Sequence, residues 1–301
     1  MKENAMKRMK ITRRKLLTKG MKIVMGLLGM LSIPSTYTVW GERFWFKVNE
    51  LTLFFPDLPD AFEGTRIVQF SDLHIDHFFD SAPLKDLMAL IQQQDPDLIC
   101  FTGDLMDEDG STLAASVPPL TGLHAPLGKW AVLGNHDYRS DVLDVKEALD
   151  RSGFQLLLNQ SHVFEKKGQK LALTGVDDAL IGRPNLAAAL EAIDPGTFTI
   201  LLSHIPDYSL VTREFPIHLQ LSGHSHGGQV RLPWIGPILT PNGAKHFVDG
   251  HYHVPKSSLQ LYVNRGVGTT VLPIRFLCRP EVTVIVLKRG INKDSMLILA
   301  K

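Results

Sequence analysis

Short runs of Ile, Val, Leu and Phe recur along the chain, most of them four to seven residues long and bounded by Gly, Pro, Asp or Ser. They fall at 66–70, 98–102, 129–133, 156–158, 171–174, 199–202, 218–221, 260–263 and 282–287. Runs this short and this rich in β-branched residues predict buried strands. An extended aromatic stretch at 44–55, closed by Pro56 and Pro59, predicts one more strand leading into the domain. Helical periodicity separates the early runs, over 83–94, 141–152 and 184–193. Pro83 and Pro184 suit a first helical turn, and Asp141 with Glu147 biases acid toward the start of its helix. From about residue 155 strands dominate, joined by short turns such as Lys166-Lys167-Gly168. Alternation early and β structure late predict an α/β fold of two mixed sheets packed face to face with flanking helices. Residues 233–255, rich in Gly and Pro, read as an ordered functional loop over a site.

Length and composition narrow this to one catalytic domain, placed at 42–290 with a tail at 291–301; 301 residues at 44% hydrophobic suffice for one substantial core. The net charge of +1 conceals an asymmetry. Residues 1–22 carry nine Lys or Arg against Glu3 alone, which leaves the remainder near −7. An acidic body lacks the basic footprint of nucleic-acid binding. Thr12-Arg13-Arg14-Lys15-Leu16-Leu17 precedes an uncharged stretch, 23–41, whose apolar part (23–33) is short for a spanning helix. Residues 1–41 therefore look like a twin-arginine export signal, or a retained amino-terminal anchor, since no clear cleavage site follows. The expectation is an exported protein of the envelope or exterior, with the twin-arginine machinery as a partner and membrane or wall association open. Cys100 and Cys278 lack zinc-site spacing and read as buried thiols, with a bridge between them left open.

The chemistry collects in five segments: Asp72-Leu73-His74, Gly103-Asp104, Gly134-Asn135-His136-Asp137, Ser203-His204 and Gly223-His224-Ser225-His226. Each follows an apolar run, so each sits where strand gives way to loop. Carboxylates, imidazoles and an amide oxygen without thiolate suit a pair of divalent ions, Mn, Fe or Zn. Such a pair needs a bridging carboxylate. Asp104 is the candidate, with Gly103 allowing close backbone approach. Asp72 and His74 are two apart and would share a face of an extended strand. His224 and His226 repeat that spacing, while Asn135 and His204 supply a neutral oxygen and a nitrogen.

In order and content these segments resemble the calcineurin-like metallophosphoesterases, over about residues 64–288. The resemblance implies a four-layer α/β/β/α sandwich. It implies one metal site on Asp72, His74, Asp104 and His226, and a second on Asp104, Asn135, His204 and His224. It also implies that His136 stays off the metals and faces substrate, oriented by Asp107, with Asp137 as runner-up. The arginine that clamps phosphate in the phosphoserine phosphatase branch is missing, because Glu108-Asp109 stands there. The stretches 223–233 and 262–281 look like those of exported or membrane-associated bacterial phosphohydrolases. Arg231, Arg265 and Arg275 are then the candidates to hold a second phosphate oxygen or an anionic head group. Asp177 and Asp178 read as turn formers in a rim loop. His251 and His253 read as solvent-exposed or substrate-contacting loop residues.

The expected function is cleavage of a phosphodiester or phosphomonoester by activated hydroxide. The expected substrate is a phosphorylated small molecule, lipid head group or wall-polymer fragment. A pyrophosphatase for a lipid-linked nucleotide sugar is the alternative within the enzyme class, and a non-catalytic metal-binding envelope protein the alternative outside it.

Overall fold

The structure is a computed structural model that describes residues 36–75, 79, 81–107 and 113–291. The twin-arginine segment, Glu108-Asp109 and the tail beyond residue 291 lie outside the described residues. In chain order the strands are β1 (Lys47–Phe55), β2 (Arg66–Phe70), β3 (Leu98–Phe101), β4 (Lys129–Ala131), β5 (Phe154–Leu156), β6 (Gln160–Lys166) and β7 (Gln169–Gly175). They continue with β8 (Phe198–Leu202), β9 (Leu219–Ser222), β10 (Arg231–Leu232), β11 (Gly236–Pro237), β12 (Gly250–His253), β13 (Gln260–Val263) and β14 (Glu281–Arg289). One sheet has the order β1-β14-β2-β3-β4-β5 and the other β12-β13-β9-β8-β7-β6, with β10 and β11 forming a separate ribbon. Both large sheets are mixed. β2 to β5 run parallel with β14 antiparallel beside them, and β7, β8, β9 and β13 run parallel between two antiparallel edge strands.

Alternation along each strand divides the core into layers. Ile67, Cys100, Trp130 and Val132 face inward and meet Leu171, Phe198, Ile200 and Leu221 of the second sheet. Their neighbours Val68, Ile99 and Phe101 face outward, under Leu84, Leu87 and Ile91 of helix α1 (Ser81–Gln92). Helix α2 (Leu113–Thr121), helix α3 (Asn135–Arg139) and helix α4 (Val142–Arg151) follow on this side, and Asp141 caps α4 by accepting from Leu143 N. On the other side Leu201, Leu261 and Val263 pack against Leu186 of a short helix, α5 (Leu186–Leu190). Each fully buried aliphatic or aromatic side chain contributes about 1.5–3 kcal/mol.

Several elements differ from the sequence pattern. β5 lies at 154–156 rather than 156–158, and the helix expected over 184–193 contracts to α5. The aromatic stretch becomes strand only at Lys47, because residues 37–41 form a wide π-helical turn and 42–44 a 3-10 turn, with Glu42 buried. β6 was hidden by its composition, since as an edge strand it buries Phe164 and exposes most of the rest. α2 was hidden by Pro118 and Pro119 inside it, which remove backbone donors that a helix interior uses. Lys167 and Gly168 connect β6 to β7 with φ of 53° and 71°, a primed turn that matches strand twist. Cys100 and Cys278 are both buried and free, which closes the question of a bridge. No helix among the described residues is long and apolar enough to cross a membrane.

Candidate active site

The five segments leave the carboxyl ends of β2, β3, β4, β8 and β9, where parallel strands of α/β sheets present their loops. Backbone bonds tie these loops to one another. Asp72 N–H donates to Gly103 O at 2.9 Å, His74 N–H to Asp104 O at 3.2 Å and Gly223 N–H to His204 O at 3.1 Å. Beneath them Gln69 Nε2 donates to Thr102 Oγ1 and to Ser222 O, joining the two sheets. Asp72, His74, Asp104, Asn135, His204, His224 and His226 are all buried, none more than 6% exposed.

The backbone that delivers them is unusual. Asp72, His74, Asp104, His224 and His226 all adopt left-handed φ, between 46° and 67°. Asp72 and His74 therefore share a site through two left-handed residues, and not through the pleat of an extended strand. Each such residue costs about 1–2 kcal/mol relative to ordinary backbone. Glycines permit the crowding: a Cβ on Gly134 would stand 2.2 Å from Asp104 Oδ1.

Two sets of ligand atoms converge. In the first, His226 Nε2 lies 3.0 Å from His74 Nε2 and 3.4 Å from Asp72 Oδ1. In the second, His204 Nε2 lies 3.1 Å from Asp104 Oδ2 and 3.2 Å from His224 Nδ1. Asp104 Oδ2 also lies 3.6 Å from His74 Nε2, so one oxygen faces both sets. Within each set the candidate ligand atoms lie within 4.8 Å of one another. Asn135 Oδ1 is buried with no hydrogen-bond partner, an acceptor whose desolvation nothing in the protein offsets. Donor type, convergence and this orphaned oxygen fit divalent metal ions.

The electrostatics agree. Burial would push the Asp104 carboxyl up, yet His204 and His74 hold it well below the usual carboxylate range. Burial would push His204 down, yet the charge of Asp104 and the hydrogen bond to it carry His204 up to about 10. Positive charge is thus demanded where a cation would sit. Burial, aided by the charge on His204, pushes His224 down to about 3, leaving a neutral ring with a free lone pair. His204 Nδ1 faces Thr102 O at 2.7 Å and His224 Nε2 faces Asn242 O at 2.7 Å, so backbone carbonyls fix which nitrogen of each ring points inward.

Beside this pocket stands a half-exposed rim. His136 Nδ1 lies 2.8 Å from Asp107 Oδ1, and its ring meets that of His74 edge-on. His136 and Asp107 hold each other, and that hydrogen bond keeps the Asp107 carboxyl well below its usual range. Asp137 does not touch the imidazole. It is buried and accepts from Gly134 N and Asp104 N on Oδ2 and from Leu105 N on Oδ1, which makes it the clamp of the Asp104 loop. Arg139 is exposed, with Nη1 3.4 Å from His136 Nε2.

Of the three arginines expected to face substrate, one is buried and two are paired with an aspartate. Arg275 is fully buried, and every nitrogen of its guanidinium donates to carbonyls of Gly268, Cys278, Arg265 or Gly266. Its expected contact with phosphate is corrected to a structural one, because it gathers the 265–278 segment. Arg231 and Arg265 share Asp249, at 2.8 Å each, and Arg231 also donates to Gly227 O. His251 lies on β12, an edge strand, with Nε2 2.8 Å from Gln260 Oε1. Asp177 and Asp178 do form turns, accepting from Arg183 N and from Leu180 N and Ile181 N. Asp137, Arg139, Asn242 and Gln69 were not assigned these parts from sequence. Only Asp137 carried a signal, as an acid inside the Gly-Asn-His-Asp segment.

Residues 65–255 match the family model of calcineurin-like phosphoesterases. The metallophosphoesterase YkuE of Bacillus subtilis is 39% identical over 84% of this chain and 89% of its own length. The phosphodiesterase YaeI of Escherichia coli is 32% identical over 83% and 91% respectively. The UDP-2,3-diacylglucosamine pyrophosphatase LpxG of Chlamydia trachomatis is 29% identical over 86% and 95%. Strand-end carboxylates and imidazoles, sheet order and these likenesses agree: the chain belongs to the calcineurin-like phosphoesterase family and is a metal-dependent hydrolase of phosphoric esters.

Proposed function

We propose that the protein binds two divalent ions and hydrolyses a phosphodiester or phosphomonoester of an envelope-related substrate. Asp72, His74, Asp104 and His226 would hold one ion, and Asp104, Asn135, His204 and His224 the other. The observation that carries this reading is Asp104 Oδ2, which faces His204 at 3.1 Å and His74 at 3.6 Å and so belongs to both ligand sets. When bound, such ions supply Lewis-acid charge for the phosphoryl oxygens and lower the pKa of water.

The chain supplies the rest. Asp104 Oδ1 is fixed by the His136 backbone N–H at 2.8 Å, which couples the carboxylate shared by the two ligand sets to the rim. Asp107 accepts a hydrogen bond from His136 Nδ1–H and so leaves Nε2 as the nitrogen beside Arg139. In the imidazolium form, His136 can pass its Nε2 proton to the departing oxygen and relax to the tautomer that Asp107 already holds. Arg139, beside Nε2, replaces the three tethered arginines as the guanidinium free to take a phosphoryl oxygen.

The names of YaeI and LpxG support a phosphodiester and a pyrophosphate reading respectively. Export rests on residues 12–19 of the sequence. The test is a panel of p-nitrophenyl monoester, bis-p-nitrophenyl diester and a nucleotide-sugar pyrophosphate across Mn²⁺, Zn²⁺, Fe²⁺ and Mg²⁺. Turnover of the ester substrates is expected; turnover of the pyrophosphate alone would select the second reading. His136→Gln should keep its metal content and lose roughly 10²–10⁴-fold in rate. Full activity in that variant would remove His136 from the mechanism.

A further inference from the structure

We infer that two apolar lips beside the metal pocket seat the protein on a lipid bilayer, so that its substrate is a phosphorylated amphiphile met at the membrane surface. The inference rests on the phosphohydrolase reading for the substrate, and on the surface alone for the docking.

The first lip is segment 228–242. It starts two residues beyond His226 and ends at Asn242, whose carbonyl faces His224 Nε2. Gly228, at φ +80°, allows Pro237 to pack where a Cβ would meet it at 2.3 Å, which folds the β10–β11 ribbon against the pocket. The second lip is segment 266–278. It starts against Asp72, where Val267 N–H donates to Ser71 O and Gly268 N–H to Asp72 O. Gln229 joins the two, bonding Thr270 N, Thr270 O and Leu272 O. The first lip thus continues the backbone that carries His224 and His226, and the second is hydrogen-bonded to the backbone that carries Asp72.

Their outer side chains are apolar and in water. Trp234, Ile235, Ile238, Leu239, Val271 and Leu272 are all exposed, with Trp234 at 102% and Val271 at 91%. Those two stand at turn apices with φ of 63° and 65°. Neither segment contains a single Asp or Glu. Two exposed apolar segments without an acid, joined through Gln229, mark an interaction surface and not a chance of composition.

Two observations select a bilayer as the occupant. The described end of the uncharged stretch, residues 36–41, joins the fold at this face together with Glu42 and Arg43: Arg275 N–H donates to Thr38 O, Arg43 Nη1 to Pro273 O, and the Glu42 carboxylate accepts from Leu277 N. Trp40, also exposed, stands on this segment. The lips themselves protrude as points led by Trp and aliphatic residues, the composition that partitions into the head-group boundary. A stable protein interface instead needs about 800 Å² of complementary surface on each side.

The experiment uses the full chain, wild type and the double variant Trp234→Ser/Leu272→Ser, with vesicles of phosphatidylcholine and phosphatidylglycerol. Cosedimentation should fall about tenfold or more in the variant, while hydrolysis of soluble bis-p-nitrophenyl phosphate stays within about twofold, since the lost contacts are apolar burial alone. The soluble assay also reports that the variant is folded. Undiminished vesicle binding by the variant would overturn the inference. So would absence of binding by the wild type, and the lips would then belong to a protein partner. Vesicle binding without any turnover of esters would leave the docking intact and sink the proposed function instead.

Discussion

The metal pocket and the lips beside it invert the usual rule of burial in opposite senses, on adjoining loops. Asp104 and His204 lie at 1% exposure, while Trp234, eight residues beyond His226, is in full contact with water. Burying carboxylates and imidazoles strengthens every interaction among them, because the surrounding dielectric is low. It also demands that each be satisfied: His204 Nδ1, His224 Nε2 and the Asp72 carboxylate have fixed partners, while Asn135 Oδ1 and His226 Nδ1 are left without one. Exposing Trp and Leu costs little in an isolated molecule and constrains them hardly at all. The pocket is over-determined by its surroundings, whereas the lips are determined only by what comes to meet them. Substitutions in the two regions should therefore differ in kind.

The largest effect is expected for Asp104→Ala, which removes the oxygen shared by both ligand sets. Hydrolysis should drop by roughly 10⁴-fold or more, as for groups that act as one unit. Metal stoichiometry, measured by elemental analysis, should fall below that of His136→Gln. Two ions still bound to Asp104→Ala would contradict the sharing.

Asp137→Asn comes next and probes the clamp. An amide nitrogen would face backbone donors on at least one side, whichever way the side chain turns. One or two buried N–H groups left unsatisfied cost about 1–3 kcal/mol each. Denaturant unfolding in chelator should show a loss of roughly 2–4 kcal/mol on that basis. An unchanged midpoint would mean that the Asp104 loop holds its shape without Asp137.

Arg139→Ala is the mildest pocket-side change, because the side chain is exposed and stabilises nothing buried. A fall of about tenfold in kcat/KM, with metal content unchanged, is expected from one lost charge-assisted contact to phosphate. Arg139→Lys should recover only part of that, since a point charge cannot reproduce a planar fork. Equal rates for all three proteins would place the phosphate contact elsewhere.

What the sequence made legible follows the same division. Strands whose apolar residues face two layers, such as β2, β3 and β8, announce themselves as continuous runs. β6 exposes one face and lies at an edge, so it looked like a connection. The buried ligands were visible because chemistry confines them to a few residue types at strand ends. The burial of Arg275 and the pairing of Arg231 and Arg265 with Asp249 were not legible, because the carbonyls of 265–278 carry no side-chain signature and Asp249 lies far along the chain. Arg139 is the converse case: a surface arginine in sequence, and a neighbour of His136 only once α3 turns it there. Most of the first lip falls within 233–255, which reads as a loop over the site, yet nothing in a hydropathy pattern tells an exposed Trp from a buried one.

The left-handed backbone at Asp72, His74, Asp104, His224 and His226 has an evolutionary corollary. At each position glycine would relax the conformational cost, so a chain selected only to persist would drift toward glycine there and lose its chemistry. Retaining Asp and His keeps a standing conflict between durability and activity. Cation binding restores the deficit by mass action, stabilising the folded state in proportion to how strongly it outcompetes the unfolded chain for the ion. The lifetime of the protein is thereby indexed to the metal supply of the compartment where it folds.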